Sequence, residues 1–313
     1  MSGAEKTDGA VRVGYIGLGN MGAPMAKRLL DWPGGLIVCD ARAEATEPFT
    51  RKGAAVAATP AELARQAQVI SVTVLDDDQV REVVAGPDGI LETAGPGTVI
   101  AVHSTISDAT AVELAALCER QGVGLVDAPV SGGAGGAHKG SLAVMVGGDE
   151  AAFQAVAGPF GCWSDLVVHA GPVGAGTRMK LARNLLHFVA FTATTEAQRL
   201  AEAAGLDITE LGKVVRHSDA ITGGPGAIML RESTAALAED DNWYPILRHV
   251  RELGEKDLTL ALGLGDRLGV DLPLARLALG GLGAGLGVGA GRAAQAAGAA
   301  EEHEITGSSR ERT

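Results

Sequence analysis

The feature that most constrains this chain is the run Gly17-Leu18-Gly19-Asn20-Met21-Gly22, which directly follows the apolar β-rich segment Val11 to Ile16 and opens a helix-period segment. Glycines at these offsets between a strand and a helix point to a β-α-β start. Gly17 permits the tight turn, Gly19 lets backbone approach a pyrophosphate, and Gly22 lets the helix pack on the strand. The second β-rich run, Leu36 to Asp40, ends in a carboxylate near the expected distance of about 20 residues, where it accepts hydrogen bonds from both ribose hydroxyls. Asp40 in that place repels the 2′-phosphate of NADP, so the reading favours NAD. Arg42 is the complicating residue, because a guanidinium just beyond the strand either pairs with that phosphate or stacks as a solvated charge over the adenine edge.

Composition removes other classes of protein. Hydrophobic residues at 46% and charged residues at 20% exclude a disordered chain, and 313 residues leave room for two domains, each with its own core. A formal net charge of −12 argues against nucleic-acid partners, since phosphate backbones demand clustered Lys and Arg. Cys39, Cys118 and Cys162 are widely spaced and form no CxxC or Cys/His pattern. Neither a disulfide framework nor a metal site is expected, and the expected compartment is a reducing cytoplasm. No run of about 18 apolar residues exists, and the polar start lacks an apolar signal core, so no membrane partner is expected.

From Val11 onward, short β-rich runs alternate with helical segments, the pattern of a parallel sheet covered on both faces. The runs are Val11 to Leu18, Leu36 to Asp40, Val69 to Val74, Thr98 to His103, Val123 to Val130, Leu142 to Val146 and Leu166 to His169. Helical candidates between them are Gly22 to Leu30, Pro60 to Ala67 and Ser107 to Gln121. In the last, Ser107 or Asp108 is the expected N-cap, with Val112, Ala115, Ala116 and Leu117 as the buried stripe. Past Val173 the strands stop, and Arg178 to Ala204 and Leu247 to Leu268 read as long helices. The expected fold class is α/β: a Rossmann-type doubly wound sheet over residues 11–176, joined by a long interdomain helix to an all-helical domain over residues 177–279. Residues 1–10 are expected to be disordered; residues 280–313 form a C-terminal tail, Gly/Ala-rich to Ala300 and then charged, whose charged end is expected to be poorly ordered.

Ligands in open α/β sheets bind at the carboxyl ends of strands. Thr105 follows one such strand and reads as a contact to the nicotinamide end or as a turn hydroxyl. Asp127-Ala128-Pro129-Val130-Ser131-Gly132-Gly133 follows another, continuing through Gly135, Gly136 and Gly140. Ser131 with the amides of Gly132 and Gly133 makes a concave donor set suited to a small carboxylate; the alternative is a flexible hairpin loop. Lys180 and Asn184, four residues apart, share one helix face that His187 and Phe191 continue. A desolvated lysine suits the proton transfer that must accompany hydride transfer at an alcohol carbon. His187 reads as structural.

These motifs in this order, with Gly174-Ala175-Gly176 before Lys180 and with Lys256-Asp257-Leu258 further on, resemble the β-hydroxyacid dehydrogenase family. This group contains 3-hydroxyisobutyrate dehydrogenase and tartronate semialdehyde reductase, and the likeness runs from about Val11 to Leu274. The resemblance implies NAD(P)-dependent interconversion of a small β-hydroxyacid and its semialdehyde or keto acid. It implies Lys180 as general acid/base, with Ser131, Gly132, Gly133 and Asn184 holding the substrate carboxylate and hydroxyl. It further implies Leu75, Asp76 and Thr105 along the cofactor cleft, Lys256 approaching the cofactor from the helical domain, and a homodimer or homotetramer built on that domain. Two departures stand out: Asp76 where many members have proline, and Gly280 to Gly291 in place of the family's closing segment. If that last stretch is helical, Gly281, Gly285 and Gly289 form one small-residue face; otherwise it is coil. Rival readings are imine reduction on the same scaffold, which goes with a changed lysine, and a non-catalytic dinucleotide-binding scaffold.

Overall fold

The structure is a computed structural model that describes residues 10–229 and 231–289. The stretches 1–9 and 290–313, on which the expectations for the two termini largely fall, lie outside the described residues. The chain divides into two compact units, one ending at Asn184 and the other beginning at Leu185.

The first unit holds the sheet. Strands β1 (Val13–Ile16), β2 (Leu36–Cys39), β3 (Ala55–Val56), β4 (Val69–Val72), β5 (Val99–Val102) and β6 (Gly124–Asp127) pair in parallel in the order β3-β2-β1-β4-β5-β6. Every residue of β1, β2, β4 and β5 is buried, as expected for short Val/Ile-rich strands covered on both faces. Beyond β6 the sheet continues through β8 (Leu142–Gly147), which pairs antiparallel with β6 and with β7 (Val130–Ser131), and parallel with β9 (Ser164–Gly171). The run expected as one strand, Val123 to Val130, is therefore two. The two keep one register against β8, Asp127 opposite Gly147 and Val130 opposite Val144, and the interruption falls at Pro129, which has no N–H to donate.

Helices α1 (Gly22–Lys27), α2 (Ala43–Thr50), α3 (Pro60–Ala64), α4 (Asp77–Ala85), α5 (Asp108–Glu119), α6 (Gly133–Lys139) and α7 (Glu150–Phe160) connect the strands. Pleat alternation sends Val13 and Tyr15 into one core, with Met25, Leu29, Phe160 and Trp163. It sends Ile16 into the other, with Leu63, Ile70, Val80, Ile100 and Leu114. Ser107 caps α5 by accepting the Ala109 amide, as expected. The buried stripe of α5 is a correction: Thr110, Ala111, Leu114 and Cys118 face inward, whereas Val112 is 46% exposed. The small hydroxyl and thiol side chains fill that face, which apolarity alone did not mark. A second correction concerns the glycine-rich segment after Ser131. It is not a hairpin loop but the short helix α6, closed by Gly140 in the left-handed region at φ +74.

The long helix α8 (Ala175–Ala203) begins in the first unit, and the division at Asn184 falls inside it. The second unit adds α9 (Ile208–Thr222), α10 (Tyr244–Leu268) and α11 (Pro273–Gly285). Its cores are small: Leu247, Leu286 and Val288 in one, Leu262, Leu272 and Leu279 in the other. Of the two readings of the C-terminal glycines, the helical one holds through Gly285 and fails beyond it. Gly287 and Gly289 have positive φ, and the Val288 amide turns back onto the Gly283 carbonyl at 3.0 Å. Gly283, rather than Gly281 or Gly285, is the glycine at a close approach, because a side chain there would strike the Gly289 carbonyl.

Candidate active site

The glycine turn is built by separate steric demands. Gly17 sits at φ +91, where any side chain would meet the Thr73 carbonyl, and one at Gly22 would meet the Gly17 carbonyl. Gly19 faces open space, with nothing within 4 Å of a Cβ placed there. Among the described residues, the amides of Asn20 and Met21 take no hydrogen-bond partner. The amide of Leu18 does: it donates to Asp40 Oδ2 at 2.6 Å. Asp40 Oδ1 accepts the Arg42 amide at 2.9 Å and its Nε at 3.3 Å. Burial alone would raise the pKa of Asp40, but these two amides and the Arg42 guanidinium hold its carboxyl below the usual range. A carboxylate has about four lone-pair sites and three are taken, so Oδ2 retains capacity for one ribose hydroxyl.

A cavity of ≈ 1060 Å³ opens over this turn, at the upper end of the roughly 300–1,000 Å³ usual for cofactor sites. Gly17, Gly19, Asn20, Met21 and Gly22 line its floor, Asp40 and Arg42 one side, and Leu75 and Thr105 the rim. Gly133 and Lys180 also line it. Leu18 does not; its side chain packs into the core at 5% exposure. Ser131, Gly132 and Asn184 lie outside the lining, next in chain to or one helical turn from residues within it. Asp76 is also absent from the lining: its carboxylate caps α4 by accepting the Gln79 amide at 2.9 Å. Lys256 belongs to the second unit, where its ammonium lies 3.2 Å from Asp257.

Sequence reasoning did not find the residues that hold the rim. Ser104 Oγ donates to the Val74 carbonyl at 2.6 Å and accepts the Val74 amide at 3.1 Å. Asp77 Oδ1 accepts the Ser107 amide at 3.0 Å and the Thr110 hydroxyl at 2.5 Å. The loops after β4 and β5, which carry Leu75 and Thr105, are thus laced together. The acidic run Asp76-Asp77-Asp78 ahead of an apolar-periodic stretch was the available signal, since acidic residues mark helix starts. His103 was missed as well. It lines the cavity at 3% exposure, with Nδ1 2.8 Å from the Ala128 carbonyl and Nε2 3.0 Å from Ser71 Oγ. A carbonyl only accepts, so Nδ1 carries the proton and Nε2 accepts from Ser71.

Lys180 lies in the second turn of α8 and is only 8% exposed. Its Nζ donates to the Val130 carbonyl at 2.6 Å. Burial, with Arg183 one turn on as a second cause, holds its pKa below the ordinary lysine value. Asn184 Oδ1 accepts from Arg183 Nη1 at 3.3 Å. The helix start is set by Asp127, fully buried, which accepts the amides of Gly174 and Thr177 at 2.6 Å each. A partly desolvated amine beside a dinucleotide-sized cavity is equipped for proton transfer at a reacting hydroxyl.

Comparison with known proteins agrees with a dinucleotide-binding chain. Residues 12–171 match the NAD-binding domain of 6-phosphogluconate dehydrogenase. Residues 174–299 match the family described as NAD-binding of NADP-dependent 3-hydroxyisobutyrate dehydrogenase. An uncharacterised oxidoreductase of Mycobacterium tuberculosis is 61% identical over 274 residues, 88% of this chain and 92% of its own. A crystal structure from Mycobacterium avium 104, named only as an oxidoreductase, superposes with TM-score 0.85 at 56% identity, over 89% of this chain and 99% of that one. Mycobacterium tuberculosis 3-hydroxyisobutyrate dehydrogenase with L-serine superposes with TM-score 0.63 at 30% identity, over 87% and 92% of the two chains. Together with the glycine turn and the cavity above it, these matches make the chain an NAD(P)-binding oxidoreductase, a member of the β-hydroxyacid dehydrogenase family of the 3-hydroxyisobutyrate dehydrogenase type.

Proposed function

We propose that this protein interconverts a small β-hydroxyacid and its semialdehyde or keto acid, with Lys180 as the proton-transfer group and NAD as the preferred cofactor. The observation that carries the reading is the Lys180 ammonium, nearly closed off from solvent and held on the Val130 carbonyl at 2.6 Å in the wall of the cofactor-sized cavity. Ser131 with the amides of Gly132 and Gly133 receives the substrate carboxylate, and Asn184 orients the hydroxyl. Bound NAD(P) supplies the hydride acceptor at its nicotinamide. In oxidation, neutral Lys180 takes the hydroxyl proton as the carbinol hydrogen departs with its electron pair, leaving a carbonyl; in reduction, protonated Lys180 returns that proton to the carbonyl oxygen. Lys180→Ala is expected to leave NADH binding nearly intact and to lower turnover by about 100-fold or more. Screening NAD and NADP with 3-hydroxyisobutyrate, 3-hydroxypropionate, glycerate, 4-hydroxybutyrate and serine tests the substrate class. No turnover with any of them, or unchanged turnover in the lysine variant, overturns the reading.

The NAD preference rests on Asp40, whose carboxylate stays ionised at the point where a 2′-phosphate would arrive. Imine reduction is disfavoured by the retained Lys180, and a scaffold without activity by its desolvation. Assembly through the helical unit is part of the same reading. Leu185 at 68% exposure, Val214 at 65%, Ile221 at 74%, Leu260 at 65% and Leu277 at 73% are among the large apolar side chains of that unit open to a second copy. A homodimer or homotetramer is the expected mass by light scattering.

A further inference from the structure

We propose that Asp127 is a positioning residue: seated on the first turn of α8, its carboxylate fixes the register between the Lys180 ammonium and the Ser131–Gly133 segment. The proposal rests on Lys180 as the proton-transfer group. Asp127 ends β6, opposite Val102 on one side and Gly147 on the other. Its two oxygens accept one amide each, Oδ1 from Gly174 and Oδ2 from Thr177, both at 2.6 Å. Thr177 is the third residue of α8, where amides lack partners within the helix. Three residues beyond Asp127, the Val130 carbonyl accepts Lys180 Nζ. The segment Asp127–Val130 therefore grips α8 twice, at the main chain of its first turn and at the lysine of its second. Pro129 lies between the two grips and fixes φ there. The chain then runs directly into Ser131, Gly132 and Gly133.

The surroundings leave the pair no play. A side chain at Gly147 would collide with Asp127 Oδ1, and one at Gly176 would meet the Asp127 carbonyl at 2.5 Å. A simple cap needs one acceptor, and Ser or Asn supplies it. A carboxylate is the side chain that offers two acceptors and no donor, and burying one is unfavourable without such partners. Desolvation pushes the Asp127 carboxyl upward, opposed by the Thr177 and Gly174 amides.

Asp127→Asn is the test, because its amide nitrogen places a donor against one of the two backbone donors. NADH binding, followed by nicotinamide fluorescence, is expected to stay within about threefold of the parent. Turnover is expected to fall about 10- to 100-fold, the scale of a misplacement near 1 Å. The titration of Lys180, read by NMR after reductive methylation with labelled formaldehyde and assigned by its loss in Lys180→Ala, is expected to move up toward the ordinary lysine value. That readout needs no substrate, so it separates the two readings. An unmoved Lys180 titration in Asp127→Asn overturns the positioning role even where Lys180→Ala abolishes turnover; unchanged turnover in Lys180→Ala overturns the catalytic reading instead. If Asp127→Asn fails to bind NADH, Thr177→Pro deletes one of the two bonds from the helix side, in a first turn where proline is tolerated. The same upward move is expected, and its absence is again contrary.

Discussion

Glu196, two turns from the end of α8, receives the backbone amides of Leu274 at 2.7 Å and Ala275 at 3.0 Å, one on each carboxylate oxygen. The N-terminus of α11 is thus capped by a side chain from another helix, its own N-cap being Leu272, which has no side-chain acceptor. Glu196 is only 5% exposed, so truncation leaves two donors poorly solvated. Glu196→Ala is expected to destabilise the protein by about 2–3 kcal/mol, the range for a charged hydrogen-bonding group. Denaturant unfolding measures it; a change below about 0.5 kcal/mol, the surface range, contradicts the capping role.

Acid stability carries the signature of His103. Burial pushes its pKa from 6.5 down to about 4, opposed by its bond to the Ala128 carbonyl. Between those values the unfolded chain holds the extra proton, so this group favours the fold fully above pH 6.5 and progressively less as pH falls toward 4. The loss amounts to roughly 3 kcal/mol. In His103→Phe that portion of the slope is expected to vanish, whatever the variant's stability at neutral pH. Equal slopes for both proteins in urea titrations at several pH values exclude it.

Asp40 does two things at once, and its variants should show both. Replacement by Ser removes the charge that opposes a 2′-phosphate, but it also frees the Leu18 amide and loosens the glycine turn. The expected result is a smaller NAD-over-NADP ratio with weaker binding of both cofactors. Calorimetric titration with each separates the effects, and a variant that gains NADP affinity without losing NAD would show that the Leu18 contact is idle.

Arg183 acts on Lys180 through space. Its charge helps hold the lysine below its ordinary pKa, so Arg183→Ala should raise that value. The pH at which oxidation reaches half its alkaline maximum then moves up. An exposed charge pair is worth about 0.2–1 kcal/mol, so the displacement is at most about 0.7 of a pH unit and shrinks with added salt. A downward displacement, or none at low salt, removes Arg183 from the account.

The Rossmann half was legible because its signals are steric: Gly17 and Gly22 face carbonyls that no side chain clears, and four short strands are apolar throughout. Strand ends were overread by one or two residues, since Asp40, Val74 and His103 continue the β-rich composition after pairing has stopped. The lining held most of the expected turn residues, yet the side chains that hold it in place were not visible. Ser104, Asp77 and Asp127 act on partners 30 to 50 residues away, and no local pattern announces such a pair. Asp76 shows the converse, a position marked for the cofactor by resemblance and occupied by a helix cap. The helical unit was read as two helices and contains more: Ile208–Thr222 carries Ile208, Leu211, Val214, Val215 and Ile221 at helical spacing, a signal that was present and not used.

The short helix α6 has a consequence for adaptability. Three of its seven residues are glycine, and each interior glycine forgoes roughly 0.5–1 kcal/mol relative to alanine. Gly135 has neither a positive φ nor a neighbour within 4 Å, so nothing in the packing demands a glycine there. The segment that follows Ser131 is thus among the easiest in the sheet domain to melt and re-form, while the strands on either side stay fixed. Under the proposed function, a segment so easily re-formed would let the site admit acids of different length, and Gly135→Ala is expected to trade that tolerance for rigidity, read as a narrower range of acids turned over.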